Sequence, residues 1–237
     1  MKVKVVDGEN RRHLEPILAA LGFRLADKDP ETIITYGGDG TLLGAERDFP
    51  GVPKLPIRDG DPTDPATRAR FEQQLKKLIL GEYTPRYFYK LIVSAADEHL
   101  YALNDVTVRQ IHQPSSLRYR LWVNGVAYPH EVVGDGIVVA TTFGSTAYYR
   151  SITNSIFQVG IGLAFNNSTE PISHQVLRED AVIVIRITRG PAGAFADNNP
   201  RHLTLNVGEE ATIRQSDQRA VILGLENLRG QDFHLLK

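Results

Sequence analysis

The stretch that most constrains the fold of this chain is TIITYGGDGTLLGAE, residues 32–46. Five residues of strand character run into three glycines around Asp39, and a short helical pattern follows. A strand, a glycine turn and a helix in this order indicate a layered α/β fold, whose turn aims backbone N–H groups and a helix N-terminus at an anion. The sequence contains neither G-x-x-x-x-G-K-[ST] nor G-x-G-x-x-G, so two common phosphate-binding motifs are excluded.

The first third of the chain alternates strand and helix patterns with short connections. Asp64 is expected to cap a helix that begins at Pro65, because its side chain can accept from the first free N–H groups. The expected strands lie at 2–6, 32–36 and 52–57, and the expected helices at 10–22, 41–48 and 65–81. This alternation predicts a small doubly wound α/β domain over residues 1–82.

From residue 83 onward the chain consists mostly of short alternating segments separated by turn signals, of which Asn124-Gly125 is a strong hairpin signal. Only residues 145–159 look partly helical. We therefore predict an all-β, sandwich-like domain over 83–224. The tail, 225–237, is expected to pack back on the first domain.

Composition excludes several classes of function. The chain has 237 residues and a formal net charge of −1, so it has no overall electric field that would attract nucleic acid. It has no cysteine, which excludes disulfides and thiolate metal sites. No apolar run reaches the length of a membrane span. We expect a cytoplasmic protein with neither a nucleic-acid nor a membrane partner.

Asp39 has two interpretations on the pattern alone. Glycine and aspartate are common turn residues, so Asp39 can simply cap the helix that follows. Alternatively, the glycines cradle a phosphate while the carboxylate takes the proton of a hydroxyl that attacks phosphorus. A helix N-terminus stabilises a negative charge, which suits the second interpretation.

The second domain carries further candidate residues. Asn104-Asp105 stands at a predicted strand end, where it is either a turn pair or a ligand contact. In GDGIVVATTFGSTAYYRS (134–151), Gly144-Ser145-Thr146 is expected to open a helix whose N-terminus favours anions, and Tyr148 offers an aromatic face. Arg118 lies on a predicted strand face that is either solvated or, because arginine grips phosphate bidentately, a ligand contact.

In this order, GGDGT (37–41), Asn104-Asp105 and GDGIVVAT-x-x-GSTAY (134–148) resemble the NAD kinase family, whose members use ATP or polyphosphate. The order of the domains resembles that family as well. Because GGDGT also occurs in diacylglycerol-type kinases, a lipid or small-alcohol kinase stays an alternative. A non-catalytic or divergent dinucleotide-binding protein is a further one, because PKLPIRDGDP (53–62) replaces the family's Gly-Ile-Asn-x-Gly-x-Leu-Gly-Phe-Leu segment.

The resemblance implies a phosphotransferase that moves a phosphoryl group to the 2′-hydroxyl of the adenosine ribose of NAD, giving NADP. Asp39 would be the catalytic base. The candidates for phosphate binding are Gly37, Gly38, Thr41 and Ser145. The candidates for NAD binding are Gly40, Asn104, Asp105, Arg118, Asp135, Thr146, Ala147, Tyr148, Ser151 and Asn199.

The resemblance also implies partners. Mg²⁺ is expected to arrive on the nucleotide phosphates, and the seven scattered histidines predict no protein-only metal site. In the family, the aspartate matching Asp135 reaches a ligand held mainly by another subunit, which implies a homodimer or homotetramer. Asp197 stands where the family has an Asp-Gly or Asp-His pair.

Overall fold

The structure is a computed structural model that describes residues 1–7, 14–61, 64–111, 115–171 and 173–229. The chain divides into two compact units. The first contains Met1–Phe88 and the segment that begins at Arg219, and the second contains Tyr89–Gln218. The boundary predicted at residue 82 lies close to this division.

A parallel sheet forms the centre of the first unit. Its elements are β1 (Lys2–Asp7), α1 (Glu15–Ala20), β2 (Arg24–Leu25), β3 (Thr32–Tyr36), α2 (Asp39–Asp48), β4 (Lys54–Ile57) and α3 (Pro65–Ile79). The strands run in the order β2, β1, β3, β4 and pair in parallel. The last residue of β17 (Glu210–Ile222) pairs in parallel with Lys54, the first residue of β4. α5 (Glu226–Arg229) follows β17 in the chain.

Helices cover both faces of this sheet. Side chains alternate along a strand, and Leu55 of β4 joins a core cluster with Leu18 of α1 and Phe71 of α3. Its neighbour Lys54 therefore points to the opposite face, where it forms a buried ion pair with Glu46 of α2. The predicted doubly wound α/β arrangement is confirmed.

The helix signals in the first unit were largely correct. Asp64 caps α3: its Oδ2 accepts from Thr67 N at 2.9 Å, and Pro65 occupies the first turn. α2 begins at Asp39, two residues before the predicted start at Thr41. α1 can be compared with the prediction only from Leu14 onward, because 8–13 lie outside the described residues. Among the described helices, none is both long and apolar enough to cross a bilayer.

The described part of the C-terminal tail contacts the first unit. Leu225 and Leu228 are buried. The Leu228 carbonyl accepts from Arg58 Nη2 at 3.0 Å, and Asn227 Nδ2 donates to Tyr83 Oη at 3.3 Å. The remainder of the predicted tail, 230–237, lies outside the described residues.

The second unit contains two layers of strands. Its strands are β5 (Arg86–Ala95), β6 (Glu98–Ala102), β7 (Asp105–Gln110), β8 (Leu117–Val123), β9 (Val126–Ala127), β10 (Val132–Gly134), β11 (Gly136–Ala140), β12 (Ile161–Asn166), β13 (His174–Leu177), β14 (Val182–Arg189), β15 (Ala192–Ala196) and β16 (His202–Leu205), together with most of β17. One layer runs β10, β8, β14, β17, with β9 beside β8, β5 beside β17, and β6 beside β5. The other runs β13, β12, β11, β7, β15, β16.

A shared core holds the two layers together. Tyr119 and Ile185 of the first layer and Val139 and Leu163 of the second belong to one buried cluster. The Asn124-Gly125 hairpin joins β8 to β9, and both turn residues have positive φ, +52° and +78°, as this tight turn requires. The predicted β-rich second part of the fold is confirmed.

The outer face of the second layer is covered by α4 (Tyr148–Thr153), the only α-helix among the described residues of this unit. Tyr149 is fully buried and packs against Val138, Ala164 and Phe157. The helical pattern predicted for this region therefore corresponds to a short element that crosses the sheet.

Candidate functional site

The glycine turn of the first unit has a geometry that only glycine at position 37 permits. Gly37 has φ +151°, and a Cβ at this position would lie 2.4 Å from Thr41 Oγ1. The Gly37 N–H donates to the Ile57 carbonyl at 2.9 Å, which ties the turn to the end of β4. At Gly38, by contrast, a Cβ would meet nothing within 4 Å, so this side of the turn is open.

Asp39 is the first residue of α2 and not its cap. The N-cap is Gly38, which has extended backbone angles, and there is no side-chain capping bond. The interpretation of Asp39 as an ordinary N-cap is therefore wrong. Asp39 is partly exposed and follows the fully buried strand β3, so the end of β3 and the first turn of α2 position its carboxylate. A carboxylate placed in this way can accept a proton from a ligand hydroxyl.

A buried ion pair fixes α2 against the sheet. The Lys54 ammonium donates to the Glu46 carboxylate and to the Phe49 carbonyl. The other Glu46 oxygen accepts from Gly51 N at 3.2 Å. Because Glu46 lies two helical turns after Asp39, these bonds limit how far the start of α2 can shift.

In the second unit, two of the sequence motifs meet at one end of the second layer. A Cβ on Gly144 would lie 2.0 Å from the Asn104 carbonyl, so only glycine allows these backbones to approach. Thr141 joins them: its N–H donates to Asn104 O at 2.9 Å, its hydroxyl donates to Leu103 O at 2.6 Å and accepts from Gly144 N at 3.0 Å. The Asn104-Asp105 pair and the GSTAY block therefore form one local structure.

Asp197 organises the same end from the neighbouring strand. Its carboxylate accepts three backbone N–H groups: Leu103 at 2.7 Å, Asn104 at 2.7 Å and Asp105 at 3.1 Å. Asp197 itself has φ +50°, and its own N–H donates to Asp105 O at 2.9 Å. The Asp197 carboxylate thus fixes the backbone that carries Asn104 and Asp105.

The carboxyl groups of Asp105 and Asp197 are both buried at this end of the layer, and the pKa of each lies above its usual range. Burial raises the pKa of Asp105 from 3.8 to about 7, and the nearby Asp197 charge acts in the same direction. Burial raises the pKa of Asp197 to about 6, against the opposing effects of its three N–H bonds and of Lys90. Asp105 can therefore exchange a proton near neutral pH.

Asn104 offers a further contact. Its side chain is 6 % exposed, and its Oδ1 has no hydrogen-bond partner among the described residues. Buried polar atoms in folded proteins are nearly always paired, so each exception calls for an explanation. A ligand donor at this position would supply the missing partner.

The GST turn differs from its prediction. Gly144–Thr146 is a single 3₁₀ turn, and α4 begins only after Ala147, so the expected helix N-terminus does not form at Gly144. Ser145 is fully buried, and its hydroxyl donates to Thr142 O at 2.9 Å. The predicted phosphate-binding role of Ser145 is not supported, because its hydroxyl proton is used inside the turn.

Thr146 ends this turn, Ala147 and Tyr148 follow it, and all three positions are partly or fully exposed. The Ser151 hydroxyl donates to the Ala147 carbonyl at 3.3 Å. The Tyr148 ring is 40 % exposed, and its hydroxyl accepts from Asn166 Nδ2 at 3.3 Å. The ring therefore presents an accessible aromatic face, as expected.

Asp135 lies at the other end of the second layer. Asp105 is the partner of Ala140, the last residue of β11, whereas Asp135 precedes its first residue, Gly136. The ends of this strand are about 14 Å apart at about 3.4 Å per residue. Asp135 Oδ2 accepts from Asn167 Nδ2 at 2.7 Å. The structure therefore does not bring Asp135 together with Asp105.

Arg118 and Asn199 have local partners. Arg118 lies on the exposed face of β8, and its Nη1 donates to Glu131 Oε2 at 3.4 Å, so its contact with a ligand stays a prediction. Asn199 Oδ1 accepts from Arg201 N at 3.0 Å in the turn after β15.

Across the described ranges, no group of three or more His, Cys, Asp or Glu side chains is placed to hold a metal ion.

No family model matches the chain. A NAD kinase from Saccharolobus islandicus is 27 % identical over 245 residues, which cover 94 % of this chain and 93 % of the relative. The resemblance to the NAD kinase family is confirmed.

Two solved structures establish the fold independently. An NAD kinase from Archaeoglobus fulgidus in complex with ATP superposes with a TM-score of 0.79 at 22 % identity, covering 98 % of this chain and 97 % of that one. Yeast NADH kinase complexed with NADH gives a TM-score of 0.81 at 16 % identity, covering 94 % of this chain and 83 % of that one.

Sequence reasoning missed Thr141 and Lys90 in this relative of the NAD kinases, and it did not predict the structural role of Asp197. Thr141 links the two motifs of the second unit, and its place between a buried strand and a glycine turn was the available signal. Asp197 was noted, but its bonds to three successive N–H groups connect positions more than 90 apart and leave no local signal. Lys90 is buried inside β5, where it interrupts an apolar run.

Proposed function

We propose that this chain is an NAD kinase, which transfers a phosphoryl group from ATP to the 2′-hydroxyl of the adenosine ribose of NAD and releases NADP and ADP. The observation that carries the proposal is the position of Asp39 at the start of α2, within GGDGT, in a chain that is similar to NAD kinases over 94 % of its length. Because the relatives found are named NAD kinase, this activity is favoured over lipid phosphorylation.

In the proposed reaction, the Asp39 carboxylate takes the proton of the 2′-hydroxyl as its oxygen attacks the γ-phosphorus. A new oxygen–phosphorus bond forms, the bond from the γ-phosphorus to the β–γ bridging oxygen breaks, and ADP leaves. Gly38 and Thr41 would line the path of the phosphates, since the turn is open at Gly38. Mg²⁺ carried on the ATP phosphates would neutralise their charge.

The second unit would bind the adenosine portion of NAD. Asn104 supports this role, because its buried Oδ1 can accept a hydrogen bond from the ligand. Asp105, in the acidic position beside it, would contact a ligand hydroxyl or amino group, and Tyr148 offers a face on which a base can stack. The Asn104 observation is independent of any relative.

We also propose a homodimer or homotetramer in the cytoplasm. Asp135 lies about 17 Å from the Asp105 end of β11 at about 3.4 Å per residue, which supports its assignment to a ligand held by a second copy of the chain. Polyphosphate is an alternative phosphoryl donor, as it is in the family.

The function is tested by incubating the purified protein with NAD, Mg²⁺ and either ATP or polyphosphate, and by measuring NADP with an NADP-specific dehydrogenase. ³¹P NMR of the product then identifies the phosphorylated hydroxyl. We expect a 2′-phosphate with at least one donor. NAD binding without NADP from either donor would contradict the proposal, and phosphorylation of diacylglycerol instead of NAD would support the lipid-kinase alternative.

A further inference from the structure

The buried ion pair between Glu46 and Lys54 has no part in the proposed reaction. Lys54 is 0 % exposed and Glu46 2 %, so neither side chain is accessible to a nucleotide. Apolar side chains of similar volume often replace such a pair without loss of stability, because the cost of desolvating two charges can exceed their attraction. A role other than stability is therefore the better explanation of this pair.

The pair attaches α2 to the sheet through directional bonds. The Lys54 ammonium donates to the Glu46 carboxylate and to the carbonyl of Phe49, the residue that ends the helix. The other Glu46 oxygen accepts from Gly51 N at 3.2 Å. These bonds have a preferred length and angle, whereas the contacts of the buried apolar side chains of α2 are non-directional. The bonds therefore specify where along the sheet the helix lies.

Lys54 is itself fixed within the parallel sheet. It is the partner of Ile33 on β3 and of Ile222 on β17. Its carbonyl accepts from Leu223 N at 2.7 Å. Because strands pair with the Lys54 backbone on both sides, its ammonium holds α2 against a fixed point.

The connection from β3 to α2 allows the helix to slide along the sheet. It consists of Gly37 and Gly38, and glycine has more backbone freedom than any other residue. No side-chain bond caps the start of α2. Glu46 lies two helical turns after Asp39, about 10 Å along the helix axis. A shift of the helix at Glu46 would therefore move Asp39 by a similar distance.

We infer that Glu46 and Lys54 are positioning residues for the catalytic base. Their pair sets the axial position of α2, and with it the distance from the Asp39 carboxylate to the hydroxyl that it deprotonates. The inference rests on the proposed function, because Asp39 is the base only in that reaction. Both residues act through Asp39 and need no contact with a ligand. A displacement of about 1 Å can lower a rate about 100-fold.

The test replaces the pair by apolar side chains of similar volume, Glu46→Leu together with Lys54→Met. Urea unfolding should show nearly wild-type stability. The affinities for NAD and for a non-hydrolysable ATP analogue, measured by calorimetry, should stay within about threefold, because both substituted side chains are buried. The kcat of NADP formation should nevertheless fall about 10- to 100-fold.

A second variant changes the position of α2 and keeps both charges. Glu46→Asp shortens the acidic side chain by one methylene, so α2 has to move to retain the bond to Lys54. Its kcat should also fall, by about tenfold or more. The control is Leu75→Ala in α3, which removes a buried side chain on the opposite face of the same sheet. It should lower stability and keep wild-type kcat.

Wild-type kcat in the folded double variant would overturn the inference. An equal loss of kcat in Leu75→Ala would also overturn it, because destabilisation alone would then explain the effect. If the double variant does not fold, Glu46→Asp decides, and wild-type kcat in that variant would contradict the inference. If the wild type forms no NADP, the proposed function fails. Crystal structures of the wild type and of Glu46→Asp then still show whether Asp39 moves relative to β3, and an unmoved Asp39 would overturn the inference.

Discussion

Asp105 provides a prediction about the pH dependence of stability, because a carboxyl group buried for ligand binding is also expected to destabilise the folded protein when it ionises. The residue is 9 % exposed, and burial raises its pKa from 3.8 to about 7. The folded state therefore holds the Asp105 proton over a range of pH in which the unfolded chain has lost it. Because the folded state binds more protons between about pH 4 and 7, the stability that this group contributes falls as the pH rises through that window.

The magnitude follows from the two pKa values. With 3.8 in the unfolded chain and about 7 in the folded one, ionisation of Asp105 costs about 2 to 3 kcal/mol more at pH 8 than at pH 5. Asp105→Asn removes this cost but leaves a buried amide, which destabilises by about 1–3 kcal/mol at every pH. The second effect is independent of pH, so it cancels when ΔΔG at pH 5 is subtracted from ΔΔG at pH 8.

Urea unfolding at pH 5, 6, 7 and 8 measures this difference. The single tryptophan, Trp122, lies on β8 in the same unit as Asp105, so its fluorescence reports the relevant transition. Relative to the wild type, Asp105→Asn should gain about 2–3 kcal/mol between pH 5 and pH 8. Asp180→Asn, an exposed carboxylate of the same unit, is the matched control and should show no drift. A ΔΔG for Asp105→Asn that stays constant across these pH values would refute the reasoning.

Two further substitutions test how the site is supported. Gly144→Ala should weaken NAD binding more than tenfold and lower the unfolding free energy by about 1–3 kcal/mol, because its Cβ would lie 2.0 Å from Asn104 O. Gly44→Ala in α2 is the control. An equal loss of affinity and stability in both variants would contradict the close approach of Gly144 to Asn104 as the cause. Lys54→Met should destabilise the first unit by about 3–5 kcal/mol in urea unfolding, because it removes the positively charged partner of the buried Glu46 carboxylate. Adding Glu46→Leu should restore most of that loss, and failure to do so would show that the pair is not the cause.

Much of the fold could be predicted because local signals and tertiary structure agree. β3 has the predicted bounds, Asp64 caps α3, and the Asn124-Gly125 turn joins two strands. In each case a pattern of a few neighbouring residues determines the element: a buried apolar run, an acceptor before a proline, or two residues that tolerate positive φ.

The candidate site was less predictable because its geometry depends on distant contacts. Ser145 stands in a motif that suggests phosphate, yet tertiary packing buries it and its hydroxyl bonds within the turn. Asp135 and Asp105 lie at opposite ends of β11, a separation that depends on antiparallel register rather than on either motif. The clamp formed by Asp197 joins positions that no sequence spacing relates.

The most direct test of the central claim is turnover by Asp39→Asn. In the presence of Mg²⁺ and the donor that supports the wild type, this variant should form NADP at least 100-fold more slowly, since it lacks the base. Its affinity for NAD should stay within about threefold, because Asn keeps the shape of the side chain. Asp48→Asn, at the exposed end of the same helix, should keep wild-type turnover. Near-normal kcat in Asp39→Asn would contradict the assignment of Asp39 as the base and the mechanism built on it.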